Sequence, residues 1–273
     1  MYRSGEPGSA SFPQDGAVAR LEDAARLCGR LGHDFDNILM GVLGFAELAQ
    51  MQLEPGSRPA KYLTELLKVA ETARTITAQL HAFNRSGGMD PTPTRLADVC
   101  TSADMDSLAE ESAKVRIESV LPTDLPPVAI GAASLQKIVG HLVRNAVESM
   151  PDGGRVTLTA RTLSLTDGLS DALPAGLEPG EYVELTVADT GPGFAPGLTE
   201  RVGREPFVTT KVRHRGLGLP TVLRALDAHG GGLRIESSNR GTAVVVYLPS
   251  AAVVSPTAVR LVAGALPMEV SPP

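Results

Sequence analysis

The chain has 273 residues, 42% of them apolar and 21% charged, with a formal net charge of −6. That length buries one large core or two modest ones, and with no Trp and only 4% aromatic residues the packing must be mostly aliphatic. An acidic surface speaks against nonspecific nucleic-acid binding, and no apolar run approaches the roughly 18–20 residues that a bilayer span requires.

Residues 1–16 are rich in Gly, Ser and Pro, lack the apolar stretch of a signal peptide, and are expected to be flexible. A long helix is predicted from 17 to 52. Along it Leu21, Ala24, Cys28, Leu31, Phe35, Ile38, Val42, Phe45 and Ala49 recur three and four apart, the spacing of a seam packed on other helices. His33 falls two residues from both Leu31 and Phe35, so at about 100° per residue it points away from that seam. Asn37 lies one turn later on the same face, and Asp34 flanks it. An outward imidazole with a carboxylate beside it and an amide above it has the makings of a nucleophile.

Glu-Pro-Gly-Ser-Arg-Pro at 54–59 breaks the helix and starts a second one, whose seam is Tyr62, Leu66, Val69, Ala73, Ile76, Leu80 and Phe83. Two long helices with a short connection make an antiparallel hairpin over 17–85. Leu27, Leu39, Leu43 and Leu48, with Leu63, Leu67 and Ala70, widen the apolar stripe beyond what two helices cover. A symmetric dimer closing a four-helix bundle is the simplest remedy, and coverage by the carboxy-terminal domain is the alternative. Cys28 and Cys100 lack metal-ligand spacing. Cys28 reads as a small buried hydrophobe, and reduced thiols suit a cytoplasmic protein.

After residue 88 the periodicity changes. Strands are predicted at 115–120, 128–130, 155–163, 182–188, 233–237 and 242–248, with helices at 133–150 and 220–228. This pattern implies, over 94–250, an α/β sandwich with one sheet and helices on one face, so the chain as a whole is α+β. Residues 251–273, with four prolines, are expected to form a flexible tail.

Four segments of this second region carry chemistry. On the helix 133–150, His141, Arg144, Asn145 and Glu148 share one face. Asn145 offers an amide oxygen to a hard cation such as Mg²⁺, and Arg144 offers charge to phosphate. Asp189 ends an apolar strand where Gly191 and Gly193 free the backbone, and its carboxylate can accept from an adenine amine. Glu-Pro-Phe-Val-Thr-Thr-Lys at 205–211 is a cationic, hydroxyl-bearing loop in an acidic chain. Gly216-Leu-Gly-Leu then opens a helix, where glycines admit phosphate oxygens to free amides. Any one of these is a weak signal, and all four in this order are a strong one.

Together they resemble the sensor histidine kinases of two-component signalling, over about residues 17–250. Gly-His-Asp-Phe-Asp-Asn at 32–37 resembles the phosphoacceptor box of the nitrogen-regulation branch. Residues 141–149 resemble the N box, 189–193 and 216–219 the two G boxes, and the segment around Phe207 the F box. The resemblance implies a Bergerat-type α/β sandwich that binds ATP with Mg²⁺, behind a dimeric four-helix bundle. It implies His33 as phosphoacceptor, Asp34 as acceptor of its ring proton and Asn145 as the metal ligand. It further implies Arg144, Thr210 and Lys211 at the phosphates, Asp189 and Thr242 at adenine, and Gly191, Gly193, Gly216, Gly218 and Phe207 within the nucleotide boxes.

The implied reaction passes a phosphoryl group from ATP to His33 and on to an aspartate in the receiver domain of a response regulator. Asn37 implies a second, phosphatase activity on that partner. Met1–Gly16 leaves no room for a sensory domain, so the input is expected from an upstream sensory protein. His141 stands where many relatives have a second Asn. A water-activating ATPase of the gyrase kind would need a carboxylate there, one turn before Asn145. A non-catalytic phosphotransfer or scaffold protein would lack Asp189, the paired glycines or Asn145, all of which are present.

Overall fold

The computed structural model describes residues 8–11, 15–85, 90–100, 114–166, 174, 177–195, 197–199, 201–209 and 216–251. A short strand β1 (Gly8–Ser11) precedes the helices α1 (Asp15–Met51) and α2 (Arg58–Arg85). The turn between the helices uses Gly56 at φ 83°, and Ser57 Oγ accepts the Ala60 N–H at 3.4 Å to cap α2.

The two helices meet along their small residues. Gly32 and Ala46 of α1 and Ala60, Ala70 and Thr77 of α2 are buried, because short side chains let the backbones approach. Leu39, Leu43, Leu63 and Leu67 are half-buried beside this line. The heptad seam faces the other way: Leu31, Phe35, Ile38, Val42 and Phe45 are 41–77% exposed, and Tyr62, Leu66 and Val69 are exposed with them. Leu39, Leu43, Leu63, Leu67 and Ala70, five of the seven residues that widen the stripe, thus line the contact within the chain, whereas Leu27 and Leu48 are exposed with the regular seam on an outer apolar face.

The base of the hairpin is covered differently. Leu21, Ala25, Cys28 and Phe83 are at most 4% exposed and belong to the same core as the second region. Coverage by the carboxy-terminal region, the alternative weighed for the wide stripe, therefore holds at the base of the hairpin. The carboxy-terminal region covers the base, and the upper face stays open in the single chain.

That region contains α3 (Leu96–Cys100), β2 (Val115–Val120), α4 (Ala132–Glu148), β3 (Gly154–Leu165), β4 (Gly180–Asp189), α5 (Gly218–Asp227), β5 (Gly232–Ser238) and β6 (Gly241–Pro249). The sheet order is β1-β5-β6-β4-β3-β2, and only the β2–β3 pair is parallel. Leu135, Ile138, Val139, Leu142 and Val143 of α4 are buried with Val156, Leu158, Val183, Leu185 and Val187 of the sheet. Each such side chain contributes about 1.5–3 kcal/mol of transfer free energy. The helix face opposite this contact stays polar.

Two expectations need correction, and one element was not foreseen. Gly8–Ser11, read as part of a flexible segment, pairs antiparallel with β5, from Gly8 opposite Ser237 to Ser11 opposite Arg234. The free edge of β5 offers unpaired backbone groups that any extended segment can meet, so pairing needs no side-chain pattern to announce it. Residues 128–130 form no strand: Val128 makes isolated bridges to Thr94 and Ser250. The short α3 was not foreseen, because five residues are too few for a helical period to show. The expected tail beyond 251 lies outside the described residues.

Candidate active site

The register of the sheet sets the first half of the nucleotide pocket. Asp189, the last residue of β4, sits opposite Thr242 at the start of β6. Its Oδ1 accepts the Gly191 N–H at 2.8 Å and the Thr242 N–H at 3.2 Å. Two backbone donors thus fix one oxygen and the plane of the carboxylate. Gly193 has φ 74°, and a Cβ there would lie 2.0 Å from the Ser238 carbonyl oxygen, so the turn after Asp189 tolerates only glycine.

The polar face of α4 forms the second half. Asp189, Thr242, Arg144, Asn145, Gly193 and Gly218 line one cavity of about 900 Å³, a size suited to a nucleotide. Val187, Phe194, Leu217 and Val244 give it apolar walls. α5 begins at Gly218, close enough to α4 that a Cβ on Gly218 would lie 3.1 Å from the Asn145 Nδ2. The first free amides of α5 therefore face the same space as Asn145, and a helix start favours anions. Gly216 has φ 64°, and a Cβ there would lie 2.6 Å from the Val208 carbonyl oxygen.

Sequence and structure diverge at the F box. Phe207 does not line the cavity; it is 53% exposed with a left-handed backbone at φ 67°, a strained conformation for a bulky residue. Its neighbours Val208 and Thr209 line the cavity in its place. Thr210 and Lys211 lie outside the described residues. His141 lines the cavity too, and burial, then the charges of Arg144 and Lys137, push its pKa below the usual histidine value. It therefore presents a neutral ring at pH 7.

The residues present fit ATP with Mg²⁺. Asp189 and Thr242 mark a polar end flanked by apolar walls, as a purine needs, and the start of α5 marks an anion end. No group of three or more His, Cys, Asp or Glu able to hold a metal occurs among the described residues. A lone amide oxygen from Asn145 suits a hard cation that arrives on phosphate oxygens and keeps several waters.

His33, Asp34 and Asn37 lie outside this cavity, on the hairpin. The His33 side chain is 74% exposed, with its Nδ1 3.2 Å from Asn37 Nδ2 and 3.8 Å from Asp34 Oδ1. The three side chains read from the sequence as one cluster are one cluster. Sequence reasoning missed their support. Asp36 accepts from the Thr77 hydroxyl, and its Oδ2 lies 2.7 Å from His81 Nε2. These contacts, Thr77 first, hold the Asp36 carboxyl below the usual range. Stability from this clamp is present above the carboxylate range and fades as pH falls through it. The clamp fixes the rotation of α1 against α2 at the level of His33, and its partners lie 41 and 45 residues apart, so no local pattern reveals it.

The hairpin also reaches the nucleotide pocket. Gln79 and Ala82 of α2 stand on its rim. Below them the Arg224 guanidinium of α5 donates to the Phe83 carbonyl and lies 5.2 Å from the Phe83 ring centroid.

Comparison with known proteins agrees with this geometry. Residues 131–252 match the family of histidine kinase-, DNA gyrase B- and HSP90-like ATPases. The chain is 28% identical over 235 residues to the sensor kinase CckA of Brucella abortus, covering 84% of this chain and 24% of that protein. It is 27% identical over 237 residues to the sensory histidine kinase/phosphatase NtrB of Rhizobium meliloti, covering 85% of this chain and 60% of the relative. Among solved structures it is similar to full-length ShkA in complex with AMPPNP, with a TM-score of 0.60 and 25% identity over 84% of this chain and 47% of that one. The chain thus spans a quarter to three fifths of the length of these two curated relatives. Among the described residues no helix is long and apolar enough to cross a membrane.

Proposed function

From the match of residues 131–252 to the histidine kinase-, DNA gyrase B- and HSP90-like ATPases and the likeness to sensor histidine kinases over most of the chain, we propose that this is a two-component sensor histidine kinase that phosphorylates its own His33 from ATP. It then passes the phosphoryl group to an aspartate of a receiver domain. Residues 17–85 serve as the transfer hairpin and 94–250 as the ATP-binding domain. One observation carries this reading: an exposed imidazole flanked by Asn37 and Asp34 shares a chain with a cavity that joins Asp189 and Thr242 at one end to Arg144, Asn145 and the start of α5 at the other.

In the mechanism, Asp189 and Thr242 orient the base, while Arg144 and the amides at the start of α5 neutralise phosphate charge. Asn145 would hold Mg²⁺, which supplies further positive charge to the phosphates when bound. The lone pair of His33 Nε2 forms the bond to the γ-phosphorus, the bond to the β,γ-bridging oxygen breaks, and ADP leaves with the electron pair. Asp34 takes up the partial charge at Nδ1–H, which raises the nucleophilicity of Nε2. Incubation with γ-labelled ATP and Mg²⁺ should give protein-bound label that is lost in acid and kept in alkali. An acid-stable label, or none, overturns the proposal.

The outer face at Leu31, Phe35, Ile38, Val42 and Phe45 is the proposed homodimer contact, closing a four-helix bundle with a second hairpin. Phe35→Asp puts an unpaired charge on that face, where it costs several kcal/mol if the face is buried between copies. Light scattering should give a dimeric mass for the wild type and a monomeric mass for Phe35→Asp. A monomeric wild type at micromolar concentration rejects the contact.

Phosphatase action on the receiver is proposed for Asn37. Its amide lies 3.2 Å from the imidazole at which the partner's phosphoaspartate must dock, and an amide can donate to and accept from an in-line water. Asn37→Ala should slow the kinase-stimulated decay of phosphorylated receiver about tenfold or more and leave His33 labelling within about threefold. Equal stimulation by both proteins removes Asn37 from this role.

A further inference from the structure

A hollow of about 600 Å³ opens beside His33, lined by Arg26, Gly29, Arg30, His33, Asp34 and Asn84. It is separate from the nucleotide cavity, and the roles assigned so far use only two of these side chains. Helical side chains lean toward the amino-terminal end of their helix, so the His33 ring leans over the turn that holds Gly29 and Arg30. Its Nδ1 lies on the side of Asn37 and Asp34, at 3.2 and 3.8 Å, and attack from Nε2 requires the ring proton on Nδ1, directed to the Asp34 carboxylate. Nε2 is therefore the nitrogen left to meet whatever enters the hollow.

The other wall comes from the last turn of α2. Asn84 takes the space a side chain at position 29 would fill: a Cβ on Gly29 would lie 2.4 Å from its Nδ2. The amide is thereby held against α1, one turn before the imidazole. The two guanidiniums differ. Arg26 is drawn toward Glu22 at 3.8 Å and Asp23 at 3.7 Å, whereas Arg30 has no ion pair among the described residues.

A phosphoryl group arriving at Nε2 meets a charge problem. Its oxygens come up beside the Asp34 carboxylate, which stands 3.8 Å from the same ring, with Asp36 two residues further on. Like charges at such distances oppose transfer unless a cation intervenes. A guanidinium presents paired N–H donors that match phosphoryl oxygens, and an amide adds another.

We propose that Arg30, assisted by Asn84, receives the phosphoryl group on the hairpin side. The Arg30 guanidinium donates to the phosphoryl oxygens while the Nε2–phosphorus bond forms and the bond to ADP breaks, and it repeats the contact when the group leaves for the receiver aspartate. Arg30 is thus a catalytic residue supplied by the acceptor helix. This rests on His33 being the phosphoacceptor.

The test is single-turnover labelling of the full chain at saturating γ-labelled ATP and Mg²⁺, with ATP affinity measured separately by calorimetry. Arg30→Ala should lower the labelling rate on the order of 10²-fold, the loss typical of one oxyanion donor, with ATP affinity within twofold of wild type. Arg30→Lys should recover part of the rate, since a point charge remains without the fork. Asn84→Ala should show a smaller loss of the same kind. A wild-type labelling rate in Arg30→Ala overturns the proposal. So does a rate loss that accompanies weaker ATP binding and is not relieved by lysine, because the residue would then act on folding or on the nucleotide. A His33→Gln protein that still takes label refutes the phosphoacceptor assignment instead, and the two failures are read from separate lanes.

Discussion

His33→Gln is expected to take protein-bound label to background while leaving ATP affinity at its wild-type value. Glutamine keeps a polar side chain of similar reach but has no basic ring nitrogen to attack phosphorus. The imidazole is 74% exposed and lies outside the nucleotide cavity. Its replacement should therefore change stability by no more than about 0.5 kcal/mol and cannot alter the walls that hold ATP. Labelling with γ-labelled ATP and calorimetric titration of a non-hydrolysable analogue give the two readings. Acid-labile label persisting on the variant removes His33 as the acceptor.

Asp189→Asn should weaken ATP binding about ten- to a hundredfold, corresponding to the loss of a charge-assisted hydrogen bond of roughly 1.5–3 kcal/mol. The direction follows from the contacts of one oxygen. Oδ1 already accepts the N–H groups of Gly191 and Thr242, so an asparagine must keep its carbonyl oxygen there. Its NH₂ is then forced toward the base, where it opposes the exocyclic amine of adenine, donor against donor. The reverse rotamer sets the NH₂ against two backbone N–H groups and is worse. A guanine nucleotide, which offers an acceptor at that ring position, should lose less. Equal ATP affinity in the two proteins shows that Asp189 does not meet the base.

Much of this site was legible because its residues sit at the ends of elements with strong periodicity. Asp189 closes an alternating strand, Asn145 lies on the polar side of an amphipathic helix, and Gly218 opens another. Their meeting in one cavity is a consequence of sheet register and helix packing. His33 was legible for a related reason: an angle of 200° from the seam is fixed once the helix is. The parts that escaped are held by contacts without local signature. Asp36 with Thr77 and His81, Arg224 with Phe83, and Gly8–Ser11 on the edge of β5 each join residues far apart in the chain. The packing within the hairpin was not legible, because periodicity finds apolar stripes and does not say which of two adjacent stripes goes inward. Glycine and alanine decided that, through how closely the backbones could approach.

The course of α5 has one more consequence. At one end its first amides stand beside Asn145 in the nucleotide cavity, and in its body Arg224 holds the carbonyl of Phe83 at the foot of the hairpin. The two points lie on one helix, Gly218–Asp227. One helix therefore touches both the cavity and the foot of the hairpin. By thermodynamic reciprocity, any factor by which ATP loosens or tightens the grip on Phe83 is the factor by which releasing Phe83 changes the affinity for ATP.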